Sequence, residues 1–159
     1  MIKIKIVILR HAWFLHAGLF RVDRQEARVL LMKWLIKRIF KADLGSLAIY
    51  TAPEDEATAT ANAVSPLTPS VVIIDKTLSD KSVASPDELA RKALNANGQA
   101  MFITHRKMIG DILAGIEREI GKPLHVTRRR RFLSNQAILV GEKDGKWIAY
   151  PVFPTKNDE

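Results

Sequence analysis

Cysteine is absent from this chain of 159 residues, which excludes disulfides, thiolate zinc sites and cysteine nucleophiles and agrees with a cytoplasmic location. No apolar run comes near the roughly 20 residues that a membrane-spanning helix needs. The N-terminus alternates Lys with Ile where a signal peptide would carry an unbroken apolar block. A soluble, unprocessed, cytoplasmic protein without a membrane partner is therefore expected. Internal repeats, low-complexity linkers and shifts of composition that would mark a boundary are also missing, so one domain over 1–154 is expected, with a disordered tail at 155–159.

What the chain does have is a 47% hydrophobic content, enough for one compact core, and a formal charge of +8 from 25 basic and 17 acidic residues. That excess favours anionic partners and says nothing about fold.

Hydrophobic period alternates between strand-like and helix-like blocks. "IKIKIVIL" (2–9) has alternating Ile and Lys and then a solid apolar end, as in a strand that starts exposed and finishes buried. After a loop, "DRQEARVLLMKWLIKRIFK" opens with Asp23 and Glu26 at capping-box spacing and continues as a long amphipathic helix. "SLAIYTA" reads as a second strand, and Pro53 opens a helix through Val64. "SVVIID" is a third strand, "SPDELARKALNANG" a helix starting at Ser85, Pro86 and Glu88 and stopping at Asn97 and Gly98, and "QAMFIT" a fourth strand. "HRKMIGDILAGIEREIG" is a further helix, and "QAILVGEKDGKWIAYPV" a hairpin turning at Lys143, Asp144 and Gly145. Strands separated by helices predict a three-layer α/β/α sandwich with a mostly parallel central sheet and an antiparallel edge.

In such a sheet the carboxyl ends of the strands form the ligand crevice. The first strand ends in Arg10 and His11, the second in Thr51 and Ala52 before a helix, the fourth in Thr104 and His105 before another. An imidazole is a nucleophile toward phosphorus, an Arg gives bidentate contacts to phosphate oxygens, and helix N-termini offer N–H groups to an anion. An adjacent Arg-His pair alone would be a structural or surface pair. Its coincidence with a second strand-ending His and a Pro-initiated helix between them favours a phosphoryl site.

"LRHA", "YTAPEDEATATA" and "FITHRKMIGDIL", in this order over roughly residues 3–150, resemble the histidine phosphatase superfamily, the phosphoglycerate mutase-like fold. The short length and lack of a large inserted lid most resemble the short bacterial phosphohistidine phosphatases. The resemblance implies that His11 becomes phosphorylated, Arg10 clamps the phosphoryl group, and His105 binds and stabilises it, without a cofactor.

Three departures fall on the motifs. Ala12 stands where the first motif usually has Gly, a change of one methyl group. In the second motif Ala52, Pro53, Ala57, Thr60 and Ala61 match, Ala52 in place of Ser, but the Arg position is Glu56. A carboxylate about 5 Å from a phosphate at an effective dielectric near 20 would repel by roughly 3 kcal/mol for each pair of unit charges, where Arg would attract by as much. A tenfold rate loss needs only about 1.4 kcal/mol.

Substitute cations are Arg106, Arg21 and one of Arg128 to Arg131. Glu54, Asp55 and Glu56 have a plainer reading too, as first-turn acids that favour the helix dipole and face solvent. The proton donor for the leaving group is assigned to Asp80, with Glu54 and Glu56 as alternatives. His16 and His125 read as loop residues. The run "RRRR" (128–131) has no accompanying nucleic-acid motif and few aromatics beyond Phe132, so nucleic acid is not expected as a partner, and the His residues lack metal-ligand spacing.

Two functions are left open. One is a phosphatase working through a phosphohistidine intermediate on a phosphohistidine protein or a small phosphomonoester. The other is a pseudophosphatase that binds a phosphorylated ligand or partner without turnover.

Overall fold

The computed structural model describes residues 3–10, 47–67, 69–126 and 137–152. The predicted helix over 23–40, the loop carrying His11 and Arg21, and Arg128 to Arg131 lie outside the described residues.

Strand β1 (Lys3–Arg10) follows its sequence pattern, with Lys3 exposed, Ile6 to Leu9 buried and Arg10 emerging at the far end. β2 (Leu47–Thr51), β3 (Ser70–Ile74) and β4 (Gln99–Thr104) are the other parallel strands. β5 (His125–Val126), β6 (Ala137–Lys143) and β7 (Lys146–Val152) complete the sheet, whose order is β3-β2-β4-β1-β6-β7-β5. The first four strands in that order run parallel; β6 is antiparallel to β1 and to β7, and β5 is parallel to β7. His125 therefore sits in a short edge strand, and its reading as a loop residue is corrected: two residues give too short a period to register in sequence.

Helices α1 (Asp55–Val64), α2 (Asp87–Asn95) and α3 (Arg106–Ile120) connect these strands. From β2 the chain steps outward to β3 and then returns past β2 to β4. Right-handed crossovers then place α1 on one face and α2 on the other. α1 packs on β2, β3 and β4, while α2 packs on β1 and on α3. This is the α/β/α sandwich expected from the sequence.

Several boundaries differ from the sequence reading, each for a local reason. α1 begins at Asp55, not at Pro53, because Glu54 takes an extended backbone as N-cap. α2 ends at Asn95, short of Asn97, and its trailing carbonyls at Ala96 and Gly98 are taken by the ammonium of Lys5, the Gly98 bond being 2.8 Å. A lysine from β1 thus closes a helix some ninety positions away, replacing a purely local stop. The hairpin turns on Asp144 and Gly145, both at positive φ (53° and 77°), as a two-residue Asp-Gly loop requires.

The core gathers Ile6, Ile8, Leu9, Ile49, Phe102 and Ile103 from the central strands and Ile109, Ile112 and Ile116 from α3, all essentially buried. Each such side chain contributes about 1.5–3 kcal/mol by leaving water. Tyr50 and Phe102 are register partners on β2 and β4 and pack edge to face with ring centres 5.7 Å apart. At the edge of the sheet β3 is half exposed, with Val71 and Ile74 at 63% and 62%. Among the described residues no helix is long and apolar enough to cross a membrane.

Candidate active site

The parallel register brings three strand ends to one edge. Arg10, the last residue of β1, is the register partner of Thr104, the last of β4. Thr51 ends β2 opposite Ile103 of β4 and Ile74 of β3, and the pairing runs on as Ala52 donates its N–H to the Ile103 carbonyl at 2.9 Å. The predicted convergence of the Arg10 strand end and His105 is a consequence of adjacent strands β1 and β4. His11 follows Arg10 in the sequence and is outside the described residues.

A fourth segment folds over this edge from the end of β3. Asp75 donates its N–H to the Thr51 carbonyl at 2.9 Å, and its carboxylate accepts from the Thr77 N–H (2.9 Å) and hydroxyl (2.5 Å), closing a 3-10 turn over Lys76–Leu78. The turn buries Leu78 completely and offers its carbonyl to the Thr104 hydroxyl at 2.8 Å. Ser79 and Asp80 come next, Ser79 bonding Glu54 and Asp80 lying near His105. No hydrophobic period marks this segment; it is positioned by side chains that satisfy backbone groups.

His105 is the N-cap of α3, and its carbonyl accepts the Met108 N–H at 2.9 Å. Its ring does not cap the helix. His105 Nε2 instead lies 3.1 Å from Glu54 Oε2, and the other Glu54 oxygen accepts a hydrogen bond from the Ser79 hydroxyl. Burial by itself would raise the Glu54 pKa, but the Ser79 hydroxyl, the His105 ring and the residue's own backbone N–H outweigh it and hold the carboxyl below its usual range. Donor atoms of Glu54, Asp80 and His105 all lie within 4.8 Å of one another. Asp80 Oδ1 is buried and accepts no hydrogen bond among the described residues.

Cations stand beside these acids. Burial, and then the charge of Arg106, pull the Arg10 guanidinium below its ordinary pKa. Arg106 itself is exposed. The first turn of α3 has no acid and carries Arg106 and Lys107, and Lys107 reaches the Asp80 carbonyl at 3.4 Å. Arginine charge therefore accumulates at the positive end of a helix, an arrangement that an anion stabilises.

The remaining sequence candidates fall elsewhere. Ala52 is wholly buried with its N–H used by β4, so it belongs to the scaffold of the edge. Ala57, Thr60 and Ala61, the small residues of the second motif, form a buried stripe at helical spacing, and the Thr60 hydroxyl bonds back to the Glu56 carbonyl at 2.9 Å. Glu56, in the motif's Arg position, is exposed, as is Asp55. The acid that enters the cluster is Glu54, which the sequence offered only as an alternative proton donor; Ser79 was missed altogether. An acid at an N-cap is expected to bond its own helix. Only the tertiary approach of Ser79 and His105 draws it away.

No protein-family model and no curated protein sequence matches the chain. Solved structures do. A phosphoglycerate mutase from Plasmodium falciparum shares 16% identity, with 96% of this chain and 89% of that chain covered at a TM-score of 0.54. A putative phosphohistidine phosphatase SixA from Agrobacterium tumefaciens shares 12%, with 92% and 95% covered at 0.55. The protein histidine phosphatase SixA complexed with tungstate shares 15%, with 91% and 92% covered at 0.50. At such identities the finding is one of fold: the chain has the fold of the phosphoglycerate mutase and phosphohistidine phosphatase structures along nearly its whole length.

Proposed function

We propose that the protein is a phosphatase that works through a phosphohistidine on His11, with a phosphohistidine protein or a small phosphomonoester as substrate. The observation that carries this reading is the pairing of β1 with β4, which sets Arg10 against Thr104 and so beside His105, in a fold shared with phosphohistidine phosphatase structures.

In this reading a His11 nitrogen attacks phosphorus as the bond to the leaving group breaks, and Asp80 supplies the leaving group's proton. Water then attacks the phosphohistidine, the N–P bond breaks, and the Asp80 carboxylate takes the water's proton. Arg10, Arg106 and His105 stabilise the charge on the transferring oxygens. Arg106 supplies the cation that Glu56 does not; with Glu56 exposed, solvent screening weakens its repulsion of phosphate. The partner is thus a phosphorylated molecule.

The test is hydrolysis of an aryl phosphate and of a phosphohistidine peptide in the presence of a chelator, comparing the unsubstituted chain with His11→Ala. Turnover that disappears with His11 is the expected result. A folded protein that turns over neither substrate overturns it.

The missing Arg at position 56 favours the second reading, a module that binds phosphate without turnover. Glu56→Arg separates the two. A large rise in rate from a silent starting protein marks a degraded site and supports the module, whereas an active starting protein little changed by the substitution supports the phosphatase.

A further inference from the structure

We propose that Glu54, Asp80 and His105 bind a divalent transition-metal ion of the zinc type, and that the bound ion keeps a phosphoryl anion at the edge while stopping its turnover. The second half rests on the phosphoryl-transfer reading above; the first does not.

Two carboxylates and an imidazole, one from each of three segments separated in sequence, are a donor set suited to zinc or manganese, and a cysteine-free chain offers no softer competitor. Their donor atoms lie within 4.8 Å of one another. Tetrahedral bonds of about 2.1 Å place donors about 3.4 Å apart, so the widest-spaced side chains need to close by up to about 1.4 Å. Two further observations point to a cation. Asp80 Oδ1 is a buried carboxylate oxygen that accepts no hydrogen bond among the described residues, a state that costs free energy and that a metal bond relieves. Ser79 donates to Glu54 and so orients that carboxylate, as an outer-shell partner does for a metal ligand. The site is also reachable, because the His105 and Glu54 side chains retain 12% and 27% exposure.

Arg10, Arg106 and Lys107 work against a bare cation on the same edge, which calls for an exchangeable ion and not a permanent one. They also supply the charge that holds an anion beside the metal. Ligation engages His105 Nε2 and the Asp80 carboxylate directly. A carboxylate held by the ion is no longer open to a leaving group. The ion therefore occupies the proposed acid while adding positive charge, so the phosphoryl substrate is bound and not cleaved.

The test is a calorimetric titration of the chelator-treated full chain with ZnCl2. One zinc per chain is expected, weakened in Asp80→Asn and in Glu54→Gln by at least the tenfold to about hundredfold that loss of an outer-shell partner costs, with circular dichroism verifying the fold of each. Absence of binding, or binding equal in all three proteins, overturns the site, the latter placing the ion on other histidines. Should the variants not fold, Co2+ on the unsubstituted chain reads the donors directly: a visible spectrum of imidazole and carboxylate coordination supports the site, and that of the hexaaqua ion overturns it. Tungstate binding and aryl phosphate turnover, each with and without zinc, then read the second half. Zinc should raise tungstate affinity and abolish turnover; unchanged turnover or weaker tungstate binding overturns the silencing role. Absence of turnover in both conditions would instead sink the phosphatase reading and leave the metal site standing on the calorimetry.

Discussion

The two ends of β1 set nearly the same chemical problem and solve it differently. At the entry, Lys5 is lowered in pKa by burial and then by Lys3; at the exit, Arg10 is lowered by burial and then by Arg106. Lys5 spends its ammonium on the neutral carbonyls of Ala96 and Gly98 and so closes α2. The exit edge instead gathers groups that exchange protons or bind ligands: Glu54, Asp80 and His105. A cavity of about 380 Å³ opens at the entry edge, lined by Lys3, Lys5, Leu94, Asn97, Gln99 and Trp147. Space alone therefore does not locate the chemistry. The exit edge is distinguished by convergent titratable groups and by the N-termini of α1 and α3, which follow β2 and β4 directly.

Substitution at the two ends should separate function from stability. Arg10→Met is expected to cut kcat/KM on an aryl phosphate by about 100- to 1000-fold, the usual loss of one preorganised charge donor, whereas Lys5→Met should leave it unchanged. Equal losses of activity from both would erase the distinction.

Thr104→Val sharpens it from the other side. It leaves the buried Leu78 carbonyl without its donor and should cost about 1–3 kcal/mol of stability. It should also lower activity by loosening Ser79 and Asp80, so chemical denaturation and kinetics are to be read on the same variant. Lys5→Met should cost about 1–2 kcal/mol, since charge-assisted bonds to two carbonyls are lost at a partly exposed position, and appear as a melting temperature several degrees lower.

The smallest effect concerns the other end of α2, where Asp87 accepts from Arg118 Nε and Nη2 at 2.7 Å each. These bonds, with the Ser85 hydroxyl, lower the Asp87 pKa from 3.8 to about 2. A carboxyl depressed on folding stabilises the native state above its unfolded pKa and loses that contribution as pH falls through the folded value. Asp87→Asn should therefore melt slightly below the unsubstituted protein at neutral pH, with the gap closing between about pH 4 and pH 2. A gap independent of pH would assign the loss to packing.

Much of the fold was legible because β1, β4 and α3 carry strong periods whose buried faces the structure reproduces, Ile6 to Leu9 and Met108 to Ile116 among them. The candidate site was legible where it sits on strand ends, at Arg10 and His105. It was less so where side chains are drawn by distant partners. Glu54 reads locally as a first-turn acid facing solvent and lies beside His105 instead. Ser79 has no local signature at all. For Glu56 the sequence left both a place in the phosphate site and a solvent-facing first-turn position open, and the structure exposes it.

The sequence by itself determined the alternation of strands and helices, the buried stripes, the Asp-Gly hairpin and the placing of Arg10 and His105 at strand ends, because period and turn chemistry act over a few residues. Only the tertiary structure decided which strands are neighbours, that Lys5 and not a local stop closes α2, and that Glu54, Asp80 and His105 share one cluster. Those outcomes depend on contacts between residues tens of positions apart, where sheet register and the satisfaction of buried polar groups outweigh local preference.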